Sequence, residues 1–322
     1  MLKRLILVVA ALGLLAGAGG FWLLWASPGP KQGPHRVTVE EGSTLASVAS
    51  QLEQQGVIPG NATSYRAMAR LFGSSDPVQA GEFEIPAGAS GAEVLDILQH
   101  GRPVIRLLTI PEGMPSILVQ EKLVAIPELT GPAPLPPEGS VLPNSYDWQR
   151  GETRAAVVKR MTDAMDRELA ALWTGRKGDC PVNSKEEAVV LASIVEKETG
   201  KPSERRMVAG VYCNRLRIGM KLDADPTVIY PITKGKPLGR RIRRSELNAI
   251  TGYNTYREPG LPDGPIANPG RESIAAVLDP APTKALYFVA DGTGGHVFAD
   301  TLQQHNANVA RWYAIRRARG EM

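Results

Sequence analysis

The sequence predicts an α+β fold in three parts: an N-terminal transmembrane helix, a small α+β domain and a larger mixed α+β domain. Three observations carry that expectation. An uncharged apolar run of 21 residues occupies positions 5–25. A strand-like segment with a closing turn, followed by a helical pattern, recurs at 37–42, 83–88 and 108–113. The second half interleaves long amphipathic stretches with short apolar runs. The chain left after the apolar run is long enough for two domains.

A helix over 5–25 is long enough to cross the hydrocarbon core of a bilayer. Lys3 and Arg4 before it suit a cytoplasmic side, and Trp22 and Trp25 suit the far interface. A cleaved signal peptide is the rival reading. Its apolar core is normally shorter, and Trp25-Ala26-Ser27-Pro28 is a poor small-x-small cleavage site. Residues 1–27 are therefore expected to be a cytoplasmic tip and an uncleaved single-pass anchor, with the remainder on the far side of the membrane. Residues 28–36 read as a proline-glycine tether. Cys180 and Cys213 then lie in an oxidising space and could pair. Cys213 falls on an apolar helical stretch, where a buried thiol is the plainer reading.

Residues 37–104 are expected to form the small domain and 105–319 the larger one. In the small domain, Val37–Gly42 and Phe83–Gly88 read as strands with turns, each leading into a helix. Leu108–Gly113 opens the larger domain in the same way. The proline-rich stretch 133–139 reads as a loop at its entrance. Helices are expected over 153–173, 184–199, 203–217 and 302–319, and strands over 227–230, 286–289 and 296–298. Arg311, Arg316, Arg317 and Arg319 suit the C-terminal end of the last helix and read as a solvated face.

The chemistry concentrates at the end of the 184–199 helix. Ser184 and Glu187 fit a capping box, and Gly200 fits a stop. Leu191, Ile194, Val195 and Glu198 share one face, so Glu198 continues an apolar stripe. Glu196 points about 160° away at 100° per residue. A carboxyl group at the end of such a stripe has a raised pKa and can give up a proton near neutrality. The bland alternative is a pair of ordinary last-turn glutamates, solvated or matched to Lys197 or nearby arginines.

Other chemistries find little support. The four histidines form no H-E-x-x-H, and His296 and His305 are nine positions apart. There is no G-x-S-x-G elbow or Walker A loop. A net charge of +4 and a pI near 9.0 are too mild for a nucleic-acid partner and fit an anionic wall polymer or a membrane surface. No cofactor or metal is expected.

The motifs LASIVEKETG (Leu191–Gly200), SERRMVAGVYCNRLRIGMKLDADPTVIY (Ser203–Tyr230), GYNTYREPGLPDGPIANPG (Gly252–Gly270) and LYFVADGTGGHVFADTLQQHN (Leu286–Asn306) follow one another in order. This series resembles the endolytic murein transglycosylase family (MltG, YceG-like) over roughly 138–311. The Glu198-Thr199 pair is also similar to the Glu-Ser pair of other lytic transglycosylases. The resemblance implies a peptidoglycan lytic transglycosylase that cuts the MurNAc-β-1,4-GlcNAc bond and leaves a 1,6-anhydromuramoyl end. Glu198 would act first as acid and then as base. The chain departs from the family where Pro143-Asn144-Ser145-Tyr146 stands in place of P-D-T-Y.

Around the acid, Asp225 reads either as a turn residue or as a cleft residue near Glu198. Tyr253, Asn254, Thr255 and Tyr256 offer hydrogen-bonding and stacking groups for sugars, or else a loop packed on the core. The resemblance favours the cleft for Tyr253 and Asn254. The constrained stretch 259–270 reads as a structural connection before a cleft wall. The start of the small domain, Gly42-Ser43-Thr44-Leu45 with Val48-Ala49, resembles a LysM module, a β-α-α-β fold that binds N-acetylglucosamine chains. The implied partners are peptidoglycan glycan strands, the membrane and penicillin-binding peptidoglycan synthases, with no nucleic acid. The reading from a different class is a non-catalytic, membrane-tethered wall-binding scaffold.

Overall fold

A computed structural model describes residues 2–30 and 33–321 and divides the chain into two compact units, 1–106 and 107–322. The first unit opens with helix α1 (Leu2–Phe21), which runs into a π-helical turn over Trp22–Ala26. Strand β1 (His35–Val39), helices α2 (Leu45–Gln54) and α3 (Ala62–Phe72), strand β2 (Gly81–Ile85) and helix α4 (Gly91–His100) follow. β1 and β2 pair antiparallel with Val37 opposite Phe83. Strand alternation turns Val37, Val39, Phe83 and Ile85 inward, onto Leu52, Tyr65 and Leu98 from the helices. Thr44, Asn61 and Ser90 cap α2, α3 and α4 through reciprocal side-chain bonds.

Two sequence expectations change in this unit. Trp25 is buried in the unit's core rather than standing at a free interface. The proline-glycine stretch is also shorter as a tether than its composition suggests. Gly29 donates to the Gly88 carbonyl (3.1 Å), Gly88 donates to the Pro30 carbonyl (2.9 Å), and β1 already begins at His35. Lys31 and Gln32 lie outside the described residues.

The second unit opens within β3 (Arg106–Thr109), which pairs with β4 (Ser145–Trp148). The strand–turn–helix pattern of the sequence recurs here in α5 (Ser116–Val124). Gly42, Gly88 and Gly113 close the three turns at φ of 79°, 79° and 71°, a conformation that costs glycine nothing. Helices α6 (Arg154–Thr174), α7 (Lys185–Glu198), α8 (Arg205–Arg217), α9 (Asp225–Thr233), α10 (Arg244–Leu247) and α11 (Arg271–Leu278) come next. The antiparallel hairpin β5 (Tyr287–Ala290) and β6 (His296–Ala299) and helix α12 (Leu302–Ala318) end the unit.

α7 is the centre of this unit. Every residue from Ala188 to Val195 is buried, so the helix is apolar all round until its last turn. It packs against α6, α8, α9 and α11. The expected strand at 227–230 is instead part of α9. Pro226 stands in the first turn, where its missing N–H costs nothing, and Asp225 favours the positive end of the helix dipole. A four-residue apolar run cannot by itself distinguish strand from buried helix. The expectation of a free thiol at Cys213 is also corrected: Cys213 and Cys180 form a disulfide with Cα atoms 5.0 Å apart, joining α8 to the loop before α7.

Candidate active site

The last turn of α7 presents two glutamates to different surroundings. Glu196 Oε2 accepts the Gly270 N–H at 2.9 Å, and its Oε1 lies 3.6 Å from Arg205, which also bonds Glu112 at 2.7 Å. Both of its oxygens are therefore engaged in holding the start of α11 and of α8. Glu198 Oε1 is buried and has no hydrogen-bond partner among the described residues. Its carboxyl pKa is pushed up to about 7. Burial is the largest cause, and the negative charge of Asp225 adds to it. The Arg215 charge and a hydrogen bond with the Tyr212 hydroxyl pull the other way.

Glu198 opens onto a cavity of about 820 Å³. α8 contributes Tyr212 and Arg215, the start of α9 contributes Asp225, and the hairpin contributes Tyr287, Phe288 and Val289. α12 closes the far side with His305, Trp312, Tyr313 and Arg316 among others. Arg316 thus faces the cavity rather than forming a solvated face. Arg215 is fixed by the carbonyls of Leu286 (2.7 Å) and Leu222 (2.6 Å), so its charge stays in place beside the carboxyl. Tyr287 and His305 stack at 5.2 Å. His296 holds the hairpin to the start of α8 by donating its backbone N–H to Glu204 at 3.1 Å and placing its ring Nδ1 2.8 Å from the same carboxylate. Among the described residues no group of three or more His, Cys, Asp or Glu is arranged to hold a metal.

The structure brings Asp225 to the same cavity as Glu198, and the Tyr256 hydroxyl donates to Asp225 Oδ1 at 2.7 Å. The other three expected substrate contacts stand elsewhere. Asn254 is buried, with its amide donating to the carbonyls of Glu246, Leu247 and Ala249 and its oxygen accepting the Tyr256 N–H. Its N–H donors are spent on backbone carbonyls and its oxygen already accepts one bond within the loop, away from the cavity wall. Thr255 Oγ1 accepts the Ala224 N–H at 3.0 Å and meets Thr227 Oγ1 at 2.9 Å, which fixes the start of α9 and so the place of Asp225. Tyr253 packs its ring 4.9 Å from Tyr230, off the cavity wall. In the segment 259–270, Asn268 is a buried clamp: Oδ1 accepts the Val141 N–H and Nδ2 donates to the Met114 carbonyl. Tyr212, Arg215 and His305 lie within the quoted motifs without being singled out there, Trp312, Tyr313 and Arg316 lie beyond them, and only the fold brings all six to Glu198.

The YceG-like family profile matches residues 37–311. The chain belongs to the YceG-like family. Endolytic murein transglycosylases of two Streptococcus pneumoniae strains are 28% identical to this YceG-like chain over 325 aligned positions, covering 85% of it and 57% of theirs. The Bacillus subtilis endolytic murein transglycosylase is 35% identical over 173 positions, 53% of this chain and 46% of that protein. The chain thus spans about half the length of the curated relatives it matches. A crystal structure of a YceG-like protein from Listeria monocytogenes has a TM-score of 0.54 at 26% identity, covering 85% of this chain and 98% of that one.

Proposed function

We propose that this YceG-like chain is a membrane-anchored, endolytic peptidoglycan lytic transglycosylase with Glu198 as its single acid and base. The observation that carries the reading is the state of that carboxyl: its Oε1 is buried and unbonded among the described residues, and its pKa is raised to about 7 at the edge of an aromatic cavity. At neutral pH a large share of Glu198 is protonated and can donate to the glycosidic oxygen between MurNAc and GlcNAc. The C1–oxygen bond breaks. The resulting carboxylate takes the proton of the muramoyl C6 hydroxyl, and O6 bonds to C1 to close the 1,6-anhydro ring. The attacking hydroxyl is tethered to the same sugar, so positioning replaces a second catalytic carboxylate. Asp225 holds negative charge beside the site where positive charge develops, and Asn254 and Thr255 support it from behind. The aromatic rings of Tyr256, Tyr287 and Trp312 offer faces for sugar rings.

The apolar helix is read as the anchor. Its 19-residue span Val8–Ala26 has side chains such as Val8, Val9 and Leu12 largely exposed, unlike the core helix of a globular domain. Signal-peptide removal near Ala26 would strip Trp25 from the first unit's core, which favours retention. The β-α-α-β order of the first unit supports a LysM-like reading. Its 410 Å³ cleft between the β1–α2 turn (Ser43, Thr44, Leu45) and the α3–β2 loop (Gly73 to Val78) is the place for a glycan chain. An anchored enzyme of this kind acts on nascent strands near the periplasmic face of the inner membrane, beside penicillin-binding synthases.

The deciding experiment is mass spectrometry of glycan ends after digestion of purified strands. The wild-type chain is expected to leave anhydromuramoyl ends, and Glu198→Gln to lose about three orders of magnitude in rate with its circular dichroism unchanged. Reducing ends in place of anhydro ends would make the enzyme a hydrolase. Full activity of Glu198→Gln would remove Glu198 from the chemistry. Absence of any cleavage by the wild type would favour the wall-binding scaffold.

A further inference from the structure

The junction between α1 and the first unit is built as one piece. Trp25 is only 4% exposed and its ring lies 5.9 Å from that of Tyr65. The ring of Phe21 meets the ring of Phe72 edge-on at 4.6 Å, at the end of α3. Leu24 presses on two glycines: a Cβ at Gly60 would lie 2.8 Å from its Cδ2, and one at Gly91 would lie 3.0 Å from its carbonyl oxygen. A larger residue at Gly91 would crowd this contact, and one at Gly60 would be strained by its φ of 80°.

Around this junction large apolar side chains stay in the open. Trp22 is 59% exposed, Leu23 64%, Leu71 72% and Phe72 56%. An exposed apolar cluster of this size on an otherwise well-packed unit marks a surface that something covers. The anchor reading says what covers it. Phe21 lies inside the candidate span Val8–Ala26, and a ring in contact with Phe21 shares its depth. Phe72 and its neighbour Leu71 then sit at the outer boundary of the same bilayer, level with Trp22 and Leu23. Tryptophan is favoured at that level.

We propose that the first unit docks on the outer lipid surface of its own membrane through Leu71 and Phe72 at the end of α3, together with Trp22 and Leu23. The unit rides on the membrane as a collar around the emerging helix instead of swinging on a tether. The hydrogen bonds between Gly29, Pro30 and Gly88 remove slack from the chain that leaves the helix. The proposal rests on the anchor reading given above, and its test separates the two.

The full-length chain is reconstituted in phosphatidylethanolamine–phosphatidylglycerol vesicles with one environment-sensitive fluorophore on Leu71→Cys or, as reference, on Glu84→Cys. The native cysteines are joined in a disulfide and do not compete for the label. Leu71 is exposed, so its replacement leaves the core intact. Glu84 alternates with the inward-facing Phe83 and Ile85, which turns it to the sheet face away from the helices. Co-flotation of protein with vesicles reports the anchor. Docking predicts a blue-shifted emission at position 71 and severalfold stronger quenching there than at 84 by lipids brominated high on the acyl chain. Equal weak quenching at both positions in protein that floats would overturn the docking and leave the anchor standing. Failure to float would overturn the anchor, and the docking with it.

Discussion

The two sides of the last turn of α7 take the same residue type and make opposite uses of it. On one side Glu196 has both oxygens occupied, by the Gly270 N–H and by Arg205, and it serves to hold neighbouring elements. On the other, two residues along, Glu198 has a hydrogen bond with the Tyr212 hydroxyl but a buried Oε1 with no partner among the described residues. A folded protein normally satisfies such a group, because leaving it bare costs about 1–3 kcal/mol. The difference teaches that burial alone does not set a residue's role. What separates a structural carboxylate from a chemical one is whether the fold has already supplied its partners.

The largest consequence outside catalysis concerns stability. Glu198 has a pKa near 7 in the folded chain against 4.5 for the free group, so between those values the folded state holds more protons than the unfolded one. Stability therefore falls as pH rises through that window and levels off above it. The cost at pH 8 is up to about 3 kcal/mol for a shift of this size. Glu198→Gln removes the ionisation. Its stability relative to wild type, from urea unfolding, should rise from pH 4.5 to pH 8. A flat difference across that range would mean that Glu198 is solvated and ordinary.

Glu196→Ala is the mirror experiment. It leaves the Gly270 N–H without its acceptor and Arg205 with only Glu112, at a cost of about 2 kcal/mol. Calorimetry should show that loss at neutral and mildly acidic pH alike. The alkaline limb of the activity profile should stay where it is. A displaced limb would show that the two glutamates act as one coupled unit and that the contrast between them is false.

Some of this arrangement was legible in the sequence. The cap at Ser184, which accepts the Glu187 N–H at 3.1 Å, and the spacing of apolar residues predicted the helix and singled out Glu198. The strand–turn–helix repeats were legible because each needs a glycine at positive φ, and that requirement is local. The nature of α9 was not, since a proline after an aspartate fits both a turn and a helix start. Asn254 and Thr255 show a different limit. Small polar residues look alike whether they await a ligand or are spent on backbone carbonyls, and only the folded loop tells which. The pairing of Cys180 with Cys213 and the wall formed by α12 depend on contacts across long stretches of chain, which leave no spacing to read.

Asp225 tests whether the cavity side is tuned by charge. Its carboxylate raises the pKa of Glu198, so Asp225→Asn should lower it. The protonated form does the first step, and the alkaline limb of kcat/KM should move to lower pH, by up to about one unit. Activity at pH 7 should drop while activity at pH 5 falls less. An unmoved limb with a uniform loss would make Asp225 a substrate contact alone.

The smallest expected effect distinguishes a direct role for Tyr256 from an indirect one. Its hydroxyl donates to Asp225 Oδ1, and that bond fixes the orientation of the carboxylate. Tyr256→Phe removes the donor and keeps the ring on the cavity wall. Asp225 then keeps its charge but loses a tether, so its effect on Glu198 weakens without vanishing. The alkaline limb should shift in the same direction as in Asp225→Asn, by a few tenths of a unit. In the double variant the shift should equal that of Asp225→Asn alone, because residues acting through one another are not additive. Full additivity would mean that Tyr256 reaches Glu198 or the sugar by its own route. In that case the cavity side of α7 would hold two independent influences on the acid in place of one chain from Tyr256 through Asp225 to Glu198.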